Sequence, residues 1–94
     1  MAFTVSTDVW TVSTTASAPQ LAANVNRARI LMVNISPNRV YLRFDSTAPT
    51  LTAYAWYVEA GERYEVPPEY VQAAVSMLGV TPSGTLQSTL VVQA

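Results

Sequence analysis

The stretch Ala28-Arg29-Ile30-Leu31-Met32-Val33-Asn34-Ile35-Ser36-Pro37-Asn38-Arg39-Val40-Tyr41-Leu42-Arg43-Phe44-Asp45 decides the fold. Branched and aliphatic residues flank a short polar break. Pro37 suits the second position of a type I turn, because its φ is already fixed, and Asn38 tolerates the third. The pattern predicts a β-hairpin: one strand from Ala28 to Ile35, a turn over Ser36-Pro37-Asn38-Arg39, and a return strand from Val40 to Asp45. With Ile35 opposite Val40, Val33 meets Leu42 and Leu31 meets Phe44. All six are apolar and share the face expected to be buried. A slip of one residue would put Arg43 into that face. The opposite face gathers Ile30, Met32, Asn34, Tyr41, Arg43 and Asp45. It is more apolar than a water-facing side requires, and either amphipathic decoration or an interface patch accounts for it.

Working outward, Val, Thr, Tyr and Ile recur in short runs between Pro, Gly and Asn, which is the mark of β structure. Thr81-Pro82-Ser83-Gly84-Thr85 predicts a second hairpin, with Gly84 left-handed in the loop. Its pairs are Val80 with Leu86, Leu78 with Ser88, Ser76 with Leu90 and Ala74 with Val92. Pro67-Pro68-Glu69 suits a first helical turn. A short turn over Pro68 to Val71 followed by a strand from about Ala73 is expected. Further strands are expected at 53–58 and 62–66, joined across Glu59-Ala60-Gly61. Phe3, Val5, Trp10 and Val12 mark an N-terminal strand. Residues 13–26 are uncharged and weakly patterned, and read as a connection or arm anchored at Leu21 and Val25. The sum is one all-β domain over residues 1–94. It is a small β-sandwich or jelly-roll-like barrel of six to eight short antiparallel strands, with residues 1–25 as N-terminal edge strand and arm and 26–94 as the body.

The composition excludes much chemistry. Of 94 residues, 50% are hydrophobic and 12% charged, and the net charge is −1. His, Cys and Lys are absent, and all five cations are Arg. A disulfide framework, a Cys/His metal site, a Cys or Lys nucleophile and a histidine base are therefore excluded. The three Gly, at 61, 79 and 84, build neither a phosphate-binding loop nor a dinucleotide fingerprint. The acids at 59, 62 and 65 do not share one face of a strand and read as a solvated turn. No catalytic residue, cofactor, metal or small-molecule substrate is expected. No apolar run is long enough to span a membrane, and the start has the pattern of no secretory signal. The Asn34-Ile35-Ser36 triplet fits a glycosylation sequon by chance, with Pro37 following it.

Two groups of residues point to binding. Arg39 and Arg43 flank Tyr41 on the outward face of one strand, and Arg27 and Arg29 alternate likewise on its partner. Such interleaving can serve nucleic acid. A nearby Asp45 and a negative total favour contacts to protein, where Arg is the preferred cation. Tyr54, Trp56 and Tyr57 form the densest aromatic cluster, with Trp56 and Val58 expected inward and Tyr57 outward. Outward aromatics on a β-sandwich can also stack on sugar rings, so a carbohydrate- or protein-binding module is a rival reading.

The order of segments is similar to a known pattern. Asn26-Arg27-Ala28-Arg29-Ile30-Leu31-Met32-Val33-Asn34-Ile35-Ser36 leads into Asn38-Arg39-Val40-Tyr41-Leu42-Arg43-Phe44, then Ala60-Gly61-Glu62-Arg63-Tyr64-Glu65-Val66-Pro67 and the expected closing β-hairpin. Over about residues 26–93 this resembles small β-sandwich virion proteins of tailed bacteriophages, of the capsid decoration or cement kind. The resemblance implies a structural protein that binds the major capsid protein on the capsid exterior and braces the lattice. It implies self-association, typically as a homotrimer, and assembly in the host cytoplasm. A tail or head–tail component is the alternative within the same class.

Edge strands are normally blunted by charge. Phe3 to Val12 carries only Asp8, so this strand is expected to pair with another chain or to cover its own sheet edge. The interface is expected among Phe3, Val5, Trp10, Ile30, Met32, Arg39, Tyr41, Arg43, Tyr54 and Tyr57. On this reading, deleting residues 1–12 impairs assembly more than folding, as light scattering of the truncated chain would show.

Overall fold

The computed structural model describes residues 2–12, 17–80 and 84–93. The strands are β1 (Phe3–Val12), β2 (Ser17–Leu21), β3 (Arg27–Asn34), β4 (Val40–Arg43), β5 (Trp56–Val58), β6 (Arg63–Glu65), β7 (Val75–Leu78) and β8 (Gly84–Gln93), with a 3-10 turn at Pro68–Tyr70. They form two four-stranded sheets, in the orders β1-β8-β3-β6 and β2-β7-β4-β5. Every pairing is antiparallel. Among consecutive strands only β4 and β5 are neighbours in one sheet, and every other step along the chain changes sheet. This is the strand order of a jelly roll, the compact form of the expected β-sandwich. The accessible surface of 5240 Å2 matches the ~5,300 Å2 expected of a compact monomer of this mass.

The topology corrects both expected hairpins. β3 lies between β8 and β6 in the first sheet, whereas β4 lies between β7 and β5 in the second. Residues 35–39 therefore arch across the sandwich. An arch imposes no cross-strand register, so the buried side of β4 does not dictate that of β3. On β4 the reading holds: Val40 and Leu42 are buried and Tyr41 points outward. On β3 it inverts. Ile30, Met32 and Asn34 are buried, Leu31 and Val33 lie half-buried on the outer side, and Ile35 is exposed. Both faces of this strand are apolar, so alternation alone could not choose between them.

The second expected hairpin fails in the same way. β7 sits between β2 and β4, and β8 sits between β1 and β3. The loop proposed to join them as a hairpin falls mostly on residues 81–83, outside those described. Leu86 and Ser88 do face inward, but their partners are Trp10 and Asp8 of β1, and Asn34 and Met32 of β3. All four residues of β7 are buried. Val75 and Met77 enter the core, while the 44–55 loop folds over the other side, where the Ser76 hydroxyl donates to the Asp45 carbonyl at 2.6 Å.

Local turns follow the residues available. The Glu62 amide donates to the Glu59 carbonyl at 3.0 Å, and Gly61 between them has φ of 77°. That value is expected at the third position of a type II turn and strongly favours Gly. The turn carries the chain round the open side of the sandwich, because β5 and β6 belong to different sheets. Pro68 opens the 3-10 turn as expected, and Tyr70 within it stacks on Phe44 with ring centres 4.8 Å apart. Residues 17–21, expected to belong to a connection or arm, instead form β2 beside β7 in the second sheet; of the two expected anchors Leu21 packs against the core, whereas Val25 is exposed.

The two ends of β3 carry buried polar side chains. Between Arg27 and Arg29 two residues of β3 oppose a single step on β8, from Val92 to Val91. This bulge turns Arg27 inward, correcting its expected outward position. Its guanidinium donates to the carbonyls of Val71 at 2.6 Å, Ala73 at 2.7 Å and Ala22 at 3.0 Å. Burial pulls its pKa below the usual Arg value, although Arg remains charged. At the other end, the Asn34 amide donates to the carbonyls of Asn38 at 2.7 Å and Val58 at 2.9 Å. Its oxygen accepts from the Ser36 amide at 3.0 Å and hydroxyl at 2.5 Å. Asn34 thus clamps the arch, a structural role for the residue of the chance sequon.

The inversion of β3 has a measurable consequence. Ile30→Ala should cost about 2–5 kcal/mol through the cavity it leaves, and Ile35→Ala about 0.5 kcal/mol or less. Asn34→Ala should cost about 1–3 kcal/mol by stranding its buried partners. Urea unfolding of the three variants measures this. The opposite order for Ile30 and Ile35 would restore the hairpin register.

Candidate interaction surfaces

Two surfaces emerge. The first is the outer side of the first sheet. Its cross-strand rows read Phe3–Gln93, then Val5–Val91–Arg29, then Thr7–Thr89–Leu31–Glu65, then Val9–Gln87–Val33–Arg63. The charges lie toward β6, where Arg29 and Glu65 form a two-bond ion pair at 2.9 and 3.0 Å. The half beside β1 carries none. Phe3, Val5 and Val9 are 54%, 63% and 55% exposed. The opposite side of β1, from Thr4 to Asp8, is exposed as well. The cause is a length mismatch: β1 and β8 have ten residues each, while strands of the second sheet have three to five. The β1–β8 ribbon therefore overhangs the sheet meant to cover it.

Only the far end of β1 is covered. Trp10 and Val12 are core residues. Trp10 is thus removed from the expected interface, as are Ile30 and Met32, which are 0% and 1% exposed. The expected effect of deleting residues 1–12 is corrected too, since that cut removes core packing. Phe3 and Val5 remain on the surface, and Val9 joins them. Its shared alternation with Phe3 and Val5 was already legible in the sequence.

The second surface brings together the other five expected residues, Arg39, Tyr41, Arg43, Tyr54 and Tyr57. β4 and β5 place Tyr41 directly opposite Tyr57. The loop returns Tyr54 to within 4.8 Å of the Tyr41 ring and 6.1 Å of the Tyr57 ring, centre to centre. Trp56 extends the band, 5.7 Å from Tyr57 and 6.3 Å from Tyr64 of β6, with nearly parallel ring planes. Trp56 is 49% exposed, contrary to the expected inward position. Its parity matches Val58, but β5 is an edge strand and this residue stands at its open end. The buried tryptophan is Trp10.

Charge on this face is internally matched. The Arg39 guanidinium lies 4.1 Å from the centre of the Tyr57 ring and pairs with Glu59. Its pKa is raised, first by the bond to Glu59 and then by Tyr41. Arg43 donates to Asp45 at 2.8 Å through Nη2 and at 3.2 Å through Nε. An open cleft of about 300 Å3 lies beside this pair, lined by Arg43, Phe44, Asp45, Ala53, Tyr54 and Ala55. Among the described residues no group of three or more acidic side chains gathers as a metal-binding set, and no helix is long and apolar enough to cross a membrane.

No protein-family model matches the chain, and no curated protein matches it. Its structure is similar to a solved chain of Bacillus endospore appendages, described as a novel family of disulfide-linked pili. The match has a TM-score of 0.53 at 18% identity and covers 98% of this chain and 87% of that one. The likeness is one of fold. The present sequence has no Cys, so disulfide linkage has no counterpart in it.

The ion pairs predict a simple pH response. The carboxyls of Asp45, Glu59 and Glu65 titrate below their ordinary range, held down by bonds from Arg43 (with the Thr47 amide), Arg39 and Arg29. A depressed folded pKa contributes stability above the ordinary carboxylate range and loses it as pH falls through the depressed value. With no His or Cys, the thermal midpoint should stay level from about pH 5.5 to 7 and fall below about pH 4. Salt at about 0.5 M should narrow that fall. A transition near neutrality in a thermal-melt series would contradict this assignment.

Proposed function

We infer that the chain is a structural subunit of a virion, a capsid decoration protein that sits on the outer lattice of a tailed phage and self-associates, most simply as a trimer. The observation that carries this reading is β1. It is a ten-residue edge strand, exposed on both sides over residues 3–9, with Phe3, Val5 and Val9 on one face and Asp8 as its only charge. Long, apolar, unblunted edges invite strand pairing with another chain. The other three sheet edges, β2, β5 and β6, have five, three and three residues. An apolar surface left beside such an edge is the usual signature of an association site.

Two further points support the reading. The segment order from 26 to 93 resembles decoration proteins, and the jelly roll supplies the rigid body that such a protein needs. The Bacillus neighbour comes from an assembled appendage, so a related fold is used for assembly elsewhere. Here the contacts would be non-covalent.

Deleting residues 1–8 spares Trp10 and Val12, so the fold should survive, and near-ultraviolet circular dichroism checks it. The truncated chain, and separately Val5→Lys, should lose the oligomer seen by light scattering and should weaken attachment to purified particles at least about tenfold, as expected when a few apolar anchors are lost. Mass spectrometry of particles should find copies on the order of hundreds for a lattice protein. Unchanged oligomers and unchanged attachment in both variants would overturn the reading, and a few copies per particle would move it to the tail.

A further inference from the structure

We propose that the aromatic band from Tyr54 to Trp56, together with the Arg43–Asp45 pair beside it, binds a neutral glycan, a chain of uncharged hexopyranose units. The inference stands independently of any virion role. Its basis is the combination of exposed rings along the β5 edge, matched charge and a cleft that adjoins Tyr54.

The rings come first. Tyr54 and Trp56 are 39% and 49% exposed, and each lies about 6 Å from Tyr57 between them. An aromatic face carries negative charge density and attracts polarised C–H groups. A pyranose ring presents such C–H groups on its apolar side. The supports are rigid: Tyr57 and Trp56 lie on β5, and Tyr54 packs on Tyr41 of β4. Preorganised rings lose little freedom on binding.

Charge then narrows the ligand class. Arg39 is paired with Glu59 and Arg43 with Asp45. A phosphate or uronate would have to break one of these pairs, so an uncharged ligand fits better. The cleft of about 300 Å3 beside Tyr54 lies at the small end of ligand sites. At its wall, the fork of Arg43 and the carboxylate of Asp45 offer donors and acceptors side by side. Vicinal hydroxyls, each both donor and acceptor, match that arrangement. A proline-rich peptide also favours aromatic surfaces, but it offers mainly acceptors, which match the Arg43 fork and not the Asp45 carboxylate.

Affinity electrophoresis of the whole chain in gels containing dextran, mannan, laminarin or hydroxyethyl cellulose tests the proposal. At least one of these neutral polysaccharides should retard the protein. Trp56→Ala and Tyr54→Ala should each weaken that retardation about tenfold, the loss of one stacking face. Trp56→Phe should retain most of it, and added salt should leave it unchanged. Thermal melts establish that each variant is folded, and if Trp56→Ala unfolds, Tyr54→Ala on the loop carries the test. No retardation in any neutral gel, retention unaltered in folded Tyr54→Ala, or retardation by alginate alone would each overturn the proposal. So would saturable binding of a proline-rich peptide with none of glycan, which would assign the band to a protein partner.

Discussion

Everything in this molecule hangs on how β3 is tied down at its two ends. A sandwich in which nearly every step of the chain changes sheet has few local hydrogen bonds between consecutive strands. The crossings must be secured by other means. Arg27 at the start of β3 reaches three carbonyls at residues 22, 71 and 73. Asn34 at its end joins the arch to the carbonyl of Val58. Each clamp links the first sheet to chain entering or leaving the second. The side-chain polar atoms buried among the described residues all have partners, as a small core requires, because an orphaned group there costs about as much as a lost methylene pair. Arg27 is notable for meeting carbonyls alone, with no carboxylate beside it. Its charge is spread over several backbone dipoles, and that geometry suits the planar fork of Arg and would not suit Lys.

Much of the architecture was legible in the residues. The β class, the turn at Glu59-Ala60-Gly61, the short helical turn and the strand after it all follow from periodicity and punctuation, while the strands expected at 53–58 and 62–66 exist only over 56–58 and 63–65. The inward side of β4 was legible because Arg43 marks the other side. The inward side of β3 was not, because Leu31 and Val33 are as apolar as Ile30 and Met32. Hairpins and arches also look alike in sequence, since a short polar break can turn a strand back within its sheet or send it across. What distinguishes them here is the destination of the neighbouring strands, a non-local fact. The clamps were hidden for a related reason. Arg27 turns inward only because a bulge shifts it, and Asn34 is recognisable only once the arch exists.

The same logic applies to the surfaces. Arg39, Tyr41 and Arg43 share a face, as alternation on one strand suggested, and the pairing of β4 with β5 and the return of the loop bring Tyr57 and Tyr54 to them. The two tryptophans exchanged their expected places, Trp10 to the core and Trp56 to the edge, because burial depends on where the covering sheet ends. The second sheet is too short to cover the first half of β1. That mismatch, rather than sparse charge as such, is what leaves Phe3, Val5 and Val9 in water.

The pairing of β1 with β8, from Phe3 opposite Gln93 to Val12 opposite Gly84, has a consequence for how the chain comes into being. Of the eight described strands β1 leaves the ribosome first, and its one neighbour in the described sheet, β8, leaves last. Through nearly all of synthesis it has nothing to pair with, and Trp10 has no finished core to enter. The first sheet closes late, since the pairing of β1 must await β8. A protein made in many copies at once would then pass through a stage in which unpaired β1 strands from different molecules compete with β8 for the same edge. The edge that completes the first sheet is thus open to mispairing until β8 arrives.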